Sequence, residues 1–144
     1  MSYMLTESDV IESVCDFLQN HNYMIKQQLN EQERGDDIIA VNNRGEYFYI
    51  EAKGQTSSKI YTKSFGKEFS DSQKLSHVSR ALYRAIKMKD QNNAYAGIAL
   101  PETTKHLAII KDIQKTLQSI EIEVFWVKNN RSVRIENFSK KFNK

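Results

Sequence analysis

Residues 35–54 read Gly35-Asp36-Asp37-Ile38-Ile39-Ala40-Val41-Asn42-Asn43-Arg44-Gly45-Glu46-Tyr47-Phe48-Tyr49-Ile50-Glu51-Ala52-Lys53-Gly54. The run Asp37 to Val41 has the β-branched content of a strand, Asn42 to Gly45 is turn chemistry, and Glu46 to Lys53 alternates as a second strand. Together they predict a hairpin. Strand side chains alternate faces, so Phe48, Ile50 and Ala52 point one way and Tyr47, Tyr49, Glu51 and Lys53 the other. Asp37, on the paired strand, is brought close to Glu51 and Lys53. Two acids and a lysine thus converge where two strands enter a largely apolar sheet.

Upstream, Thr6-Glu7-Ser8-Asp9 supplies cap and first-turn residues, and Val10, Ile11, Val14, Phe17 and Leu18 recur at helical spacing, predicting a helix over 7–20. Tyr23 to Leu29 reads as a strand. Downstream, 54–70 is rich in Ser, Thr, Lys and Gly and reads as a mobile basic loop. A helix capped by Asp71 or Ser72 follows to about Lys89, with Leu75, Val78, Leu82, Ala85 and Ile86 as its apolar stripe. Ala94 to Leu100 is a buried strand closed by Pro101, and a helix from Thr103 or Thr104 runs to Ser119 with Leu107, Ile110, Ile113 and Leu117 inward. Strands at 120–127 and 132–135 and a frayed Lys/Asn-rich end complete the chain. The fold class is α/β: an antiparallel meander, then helix-and-strand units, in one mixed sheet flanked by helices. Neither a repeat nor a proline-rich linker interrupts residues 1–144, which read as a single domain.

The chain has 144 residues, 40% hydrophobic and 27% charged, with a net charge of +3. Its charge is segregated. Residues 1–52 carry ten acidic and three basic side chains, whereas residues 53–89 carry nine basic and two acidic. Acids beside a basic stretch suit a protein that holds a cation next to a polyanion. The single cysteine, Cys15, falls in an apolar helical pattern and reads as a small buried residue of a reducing compartment. With no signal-peptide pattern and no long apolar run, a cytoplasmic protein with no membrane span is expected.

The acid-acid-lysine trio matches what phosphodiester hydrolysis needs. Carboxylates of Asp37 and Glu51 are hard oxygen ligands for Mg²⁺ or Mn²⁺, and the carbonyl of Ala52 between the two catalytic side chains can complete the shell. Lys53 can orient or deprotonate the attacking water or stabilise developing charge. In the helix that follows, Gln73, His77, Arg80 and Arg84 recur at i, i+4, i+7 and i+11 opposite the Leu75/Val78/Leu82 stripe. That cationic face, with Lys59, Lys63 and Lys67 on the preceding loop, is expected to grip flanking phosphates of DNA. The bland alternative for Glu51 and Lys53 is a surface ion pair contributing roughly 0–1 kcal/mol. His21, His77 and His106 are separated in sequence and lack cysteine partners, which argues against structural zinc. Walker, dinucleotide-binding and serine-hydrolase motifs are all missing.

Gly35-Asp36-Asp37-Ile38-Ile39-Ala40 followed by Tyr49-Ile50-Glu51-Ala52-Lys53-Gly54 resembles the PD-(D/E)XK nuclease superfamily, over a span from Glu12 to about Ala99. The proline of the family pattern is missing. The resemblance implies a restriction endonuclease-like fold, an αβββαβ core plus an extra helix and strand, and metal-dependent cleavage of DNA. It assigns Asp37 and Glu51 as the metal-binding acids and Lys53 as the catalytic lysine. The spacing of Glu12, Asp37, Glu51 and Lys53 also resembles the branch with archaeal Holliday-junction resolvases and Mrr-type restriction nucleases, which makes Glu12 an extra ligand. By the same resemblance Gln73 faces the scissile phosphate or attacking water. The competing expectation is a catalytically inactive module of nuclease fold that binds nucleic acid or docks a partner. A chain this short contacts few base edges, so a homodimer or a separate specificity or recombination partner is expected.

Overall fold

The computed structural model describes residues 4–29, 35–57 and 66–142. Its elements are α1 (Glu7–Asn20), β1 (Tyr23–Gln28), β2 (Ile38–Asn42), β3 (Tyr47–Ala52), α2 (Asp71–Asn92), β4 (Tyr95–Pro101), α3 (Thr104–Ser119), β5 (Ile122–Val127) and β6 (Val133–Ile135). One six-stranded sheet runs in the order β1-β2-β3-β4-β5-β6. β1, β2 and β3 form the expected antiparallel meander, β3, β4 and β5 are parallel, and β6 returns antiparallel. The mixed α/β architecture follows from the sequence: α2 and α3 are the long crossovers that parallel neighbours require. Strand β1 forms one edge, and its register against β2 shifts between Ile25 and Gln27.

The sheet separates two cores. On one face Val10, Ile11, Val14 and Leu18 of α1 pack with Ile38, Ala40, Phe48, Ile50 and Ala52. On the other, Val78, Ala81 and Ala85 of α2 and Ile109, Ile110 and Leu117 of α3 pack with Ile98, Leu100, Val124 and Trp126, with Tyr49 at the margin. The alternation along β3 is therefore as expected, and Tyr47, Tyr49, Glu51 and Lys53 belong to the α2 face.

Helix α2 departs from the expected stripe. Its N-cap is Ser70, and its buried row is Lys74, Val78, Ala81 and Ala85, leaving Leu75 51% and Ile86 44% exposed. Small alanines let the helix lie close on β3 and β4. The row Gln73, His77, Arg80 and Arg84 consequently sits on the flank facing β2, not opposite the core. That rotation turns Arg84 toward Asp36. The ends of the basic loop are also more ordered than expected: Thr56 bridges Glu68, and the Phe69 amide donates to the Gln55 carbonyl.

The expected frayed end is corrected as far as residue 142, because Phe138 and Phe142 are buried. Glu123 of β5, fully buried, explains the docking of this segment. Its carboxylate accepts from the amides of Asn137 (2.7 Å), Phe138 (3.2 Å) and Ser139 (3.1 Å) and from the Ser139 hydroxyl (2.6 Å). Replacing it by Gln sets an NH₂ against these donors. Glu123→Gln is expected to cost about 1–3 kcal/mol in chemical denaturation and to speed amide exchange at 137–139; unchanged exchange there would refute the staple.

Candidate active site

Strands β2 and β3 pair Ile38 with Ile50, and one step further the register sets Asp37 opposite Glu51. The hairpin thus delivers two carboxylates to one point, on the α2 face at the end of β3. Asp37 Oδ2 accepts from the Ala52 amide at 2.8 Å, and the Asp37 amide donates to the Glu51 carboxylate. These bonds fix both side chains. Burial raises the Asp37 carboxyl above the usual range, against the pull of the Ala52 amide, Lys53 and Arg84. Glu51 is only 6% exposed, and burial, then the charge of Asp37, push it up to about 7. Its Oε2 is buried with no hydrogen-bond partner. A buried carboxylate oxygen without a partner beside a second carboxylate favours taking up a proton or a cation.

Helix α2 answers this only in part. Arg84 Nη2 lies 2.7 Å from Asp36 Oδ1, and its Nε lies 3.5 Å from Glu51 Oε1 without hydrogen-bond alignment. The guanidinium expected on a flanking phosphate is instead a counter-ion of the acids, because the rotation of α2 aims it at the start of β2. His77 is half-buried, packs edge-on against Phe69 with centroids 4.6 Å apart, and leaves Nδ1 buried without a partner. Burial first, then the charges of Lys53 and Arg80, lower its pKa below 6.5. A neutral imidazole therefore stands within electrostatic reach of Lys53.

The remaining expected residues divide. Arg80 is exposed on the same flank and Lys67 is exposed beside the bridge to Thr56, while Lys59 and Lys63 lie outside the described residues. Gln73 is occupied at the start of α2, where its Oε1 accepts from the Ser70 amide at 2.8 Å as half of a capping box. Glu12 is not brought to the acids. It sits on α1, which packs on the opposite face of the sheet, and its carboxylate is 3.3 Å from Arg131 of the β5–β6 turn, with Asp9 on the same guanidinium at 2.6 Å. The position at which a helix rests on a sheet depends on partners far along the chain, which spacing alone does not carry.

Among the described residues no group of three or more acid, histidine or cysteine side chains is assembled to hold a metal. Asp37, Glu51 and the Ala52 carbonyl nevertheless fit a hard divalent ion such as Mg²⁺, which keeps several waters and takes few protein ligands. The orphaned Glu51 Oε2 supports that fit. Comparison with family models, curated proteins and solved structures finds no match for the chain.

Two features escaped the sequence reading. Asp36, next to Asp37 in the chain, anchors Arg84. Beside His77 lies a second polar group: buried Lys74 pairs with Glu68, and His106, wholly buried, is pushed down to about 4 by burial and by Lys74. The Thr103-x-x-His106 spacing at a helix start, where Thr103 Oγ1 lies 2.8 Å from His106 Nδ1, was a readable signal for that histidine. The burial of Lys74 had none.

Proposed function

We infer that the chain is a metal-dependent deoxyribonuclease of the PD-(D/E)XK type with a restriction endonuclease-like fold, and that Asp37, Glu51 and Lys53 cut the phosphodiester bond. The observation that carries this reading is the orphaned, buried Glu51 carboxylate facing Asp37 across a strand pair, with Lys53 on the same face. Asp37 and Glu51, with the Ala52 carbonyl, would hold Mg²⁺ or Mn²⁺. The ion, when bound, supplies an acidified water and charge for the phosphate. Lys53 holds that water in line, or stabilises the oxygen on which charge develops. Half-buried His77 borders Lys53, and Arg84, held on Asp36 at 2.7 Å, keeps a guanidinium at the acid pair, where it would face a phosphate oxygen. Arg80 extends the basic flank along the strand, with Lys59, Lys63 and Lys67 as candidate contacts on the loop.

Plasmid, single-stranded, flapped and four-way DNA incubated with and without Mn²⁺ should reveal ion-dependent cleavage in the parent and none in Lys53→Ala. Full activity in the variant, or none in the parent on any substrate, would sink the reading. Arg84 on the acid pair favours a second reading, a nuclease-fold module that binds DNA or a partner protein without cutting. Salt-dependent DNA binding with no heat of Mn²⁺ uptake would select it. For the cutting reading, sequence-specific action calls for a homodimer or a separate specificity or recombination partner, and sedimentation with and without DNA tests the first. No described helix is long and apolar enough to cross a membrane.

A further inference from the structure

The face of β3 that carries Glu51 and Lys53 continues away from the acids through Tyr49 to Tyr47. The two rings stack, with centroids 6.5 Å apart and planes inclined by 28°. Tyr47 is 40% exposed. Both rings line a cavity of about 560 Å³, closed by Glu46, Lys89, Asn92 and Asn93 where the β2–β3 turn meets the end of α2. The charge of Glu46 is already taken by Lys141 at 3.2 Å and Arg44 at 3.6 Å. The wall thus combines aromatic faces, a lysine and two side-chain amides.

Nothing in the cutting chemistry uses this cavity. We propose that Tyr47 and Tyr49 form a stacking track for unpaired nucleobases, which takes a single strand leaving the acid pair and seats a base in the cavity between the β2–β3 turn and the end of α2. The occupant follows from chemistry and distance. Four residues of strand separate Tyr47 from Glu51, about 13 Å at strand rise. That is about four nucleotides at a stacked rise of ~3.4 Å, and fewer if the strand is stretched. Aromatic faces accept any base, Lys89 attracts the backbone, and the Asn93 side-chain amide and the Asn92 Oδ1, whose Nδ2 donates to the Met88 carbonyl, can meet a base edge. A duplex keeps its bases stacked on one another and cannot use the rings. The inference rests on the nuclease reading for its placement and implies a preference for flapped or single-stranded substrates.

The test is binding in chelator, where nothing is cut: fluorescence anisotropy of labelled oligo-dT and of a duplex of equal length, at one salt concentration. Tyr47→Ala should weaken single-strand binding about tenfold or more while leaving duplex binding within about twofold, and Tyr47→Phe should retain the parent affinity. Thermal midpoints of both variants confirm folding, since Tyr47 is a surface residue. Equal losses on both DNAs, no loss, a Phe variant as weak as the Ala variant, or a parent that binds no single strand would each overturn the track. Cleavage assays on the parent separate the two ideas. Single-strand selectivity without any cutting removes the nuclease reading alone, whereas cutting with an indifferent Tyr47→Ala removes the track alone.

Discussion

Glu51→Gln is expected to leave a metal-free protein more stable than the parent above neutral pH, yet one that neither cuts DNA nor gains stability from Mn²⁺. The carboxyl of Glu51 has its pKa raised in the folded state to about 7 from an ordinary value of 4.5. A raised folded value means that the protonated form is the one the fold favours. The stabilising contribution is fully present below the unfolded value and is lost as pH rises through about 7. A shift of this size on a side chain that is 8% exposed corresponds to a loss on the order of 3 kcal/mol. His106 runs the other way: its value, lowered to about 4, makes its contribution present above 6.5 and lost as pH falls. Because His106 is common to both proteins, the difference between parent and variant isolates Glu51. Denaturant titrations in chelator at about pH 5 and about pH 8 should show the parent falling relative to Glu51→Gln. Parallel pH slopes would remove the claim. A bound ion should restore the parent at the higher pH by mass action and leave the variant unchanged. Cleavage should fall by at least about 10²–10³-fold, the scale of losing one preorganised charge-stabilising group.

Gly54→Ala is expected to cost at least about 3 kcal/mol, the upper end for overpacking, and to damage cutting beyond the loss of folded protein. A Cβ at Gly54 would lie 2.4 Å from the Glu7 nitrogen and 2.7 Å from the Thr6 carbonyl carbon. Both are backbone atoms, so no side chain can swing aside. Relief requires the start of α1 to part from the end of β3, where the Gln55 amide now donates to the Leu5 carbonyl at 2.7 Å. Lys53 is the neighbouring residue and moves with that strand end. Since a small misplacement of a reacting group lowers a rate steeply, the cleavage rate per folded molecule should drop alongside the thermal midpoint. A variant with the parent's melting curve would show that the approach is not close.

The hairpin was readable because period-two alternation and a short turn are local instructions. Asp37 opposite Glu51 follows from them and from little else. The element order was readable for the same reason, with boundaries within a few residues. What distant partners decide was not. Of the expected stripe Val78 and Ala85 are buried, but Ala81 joins them in place of Leu75 and Ile86, because close approach to the sheet matters more than side-chain size there. Arg84 meeting Asp36, and Glu12 meeting Arg131, join residues far apart in the chain, and no local pattern encodes such pairs. The seating of Phe138 and Phe142 in a Lys/Asn-rich stretch depends on Glu123, a lone acid in an apolar strand whose purpose is visible only in three dimensions.

The shifted register of β1 bears on how copies of this chain can meet. A bulge between Ile25 and Gln27 twists the outermost strand away from the flat row of amides and carbonyls that an incoming strand would need, while Met24, Lys26 and Gln28 are turned to water. The opposite border, β6, is three residues long and offers too short a landing for a neighbour. Growth of the ribbon from molecule to molecule is disfavoured at both borders.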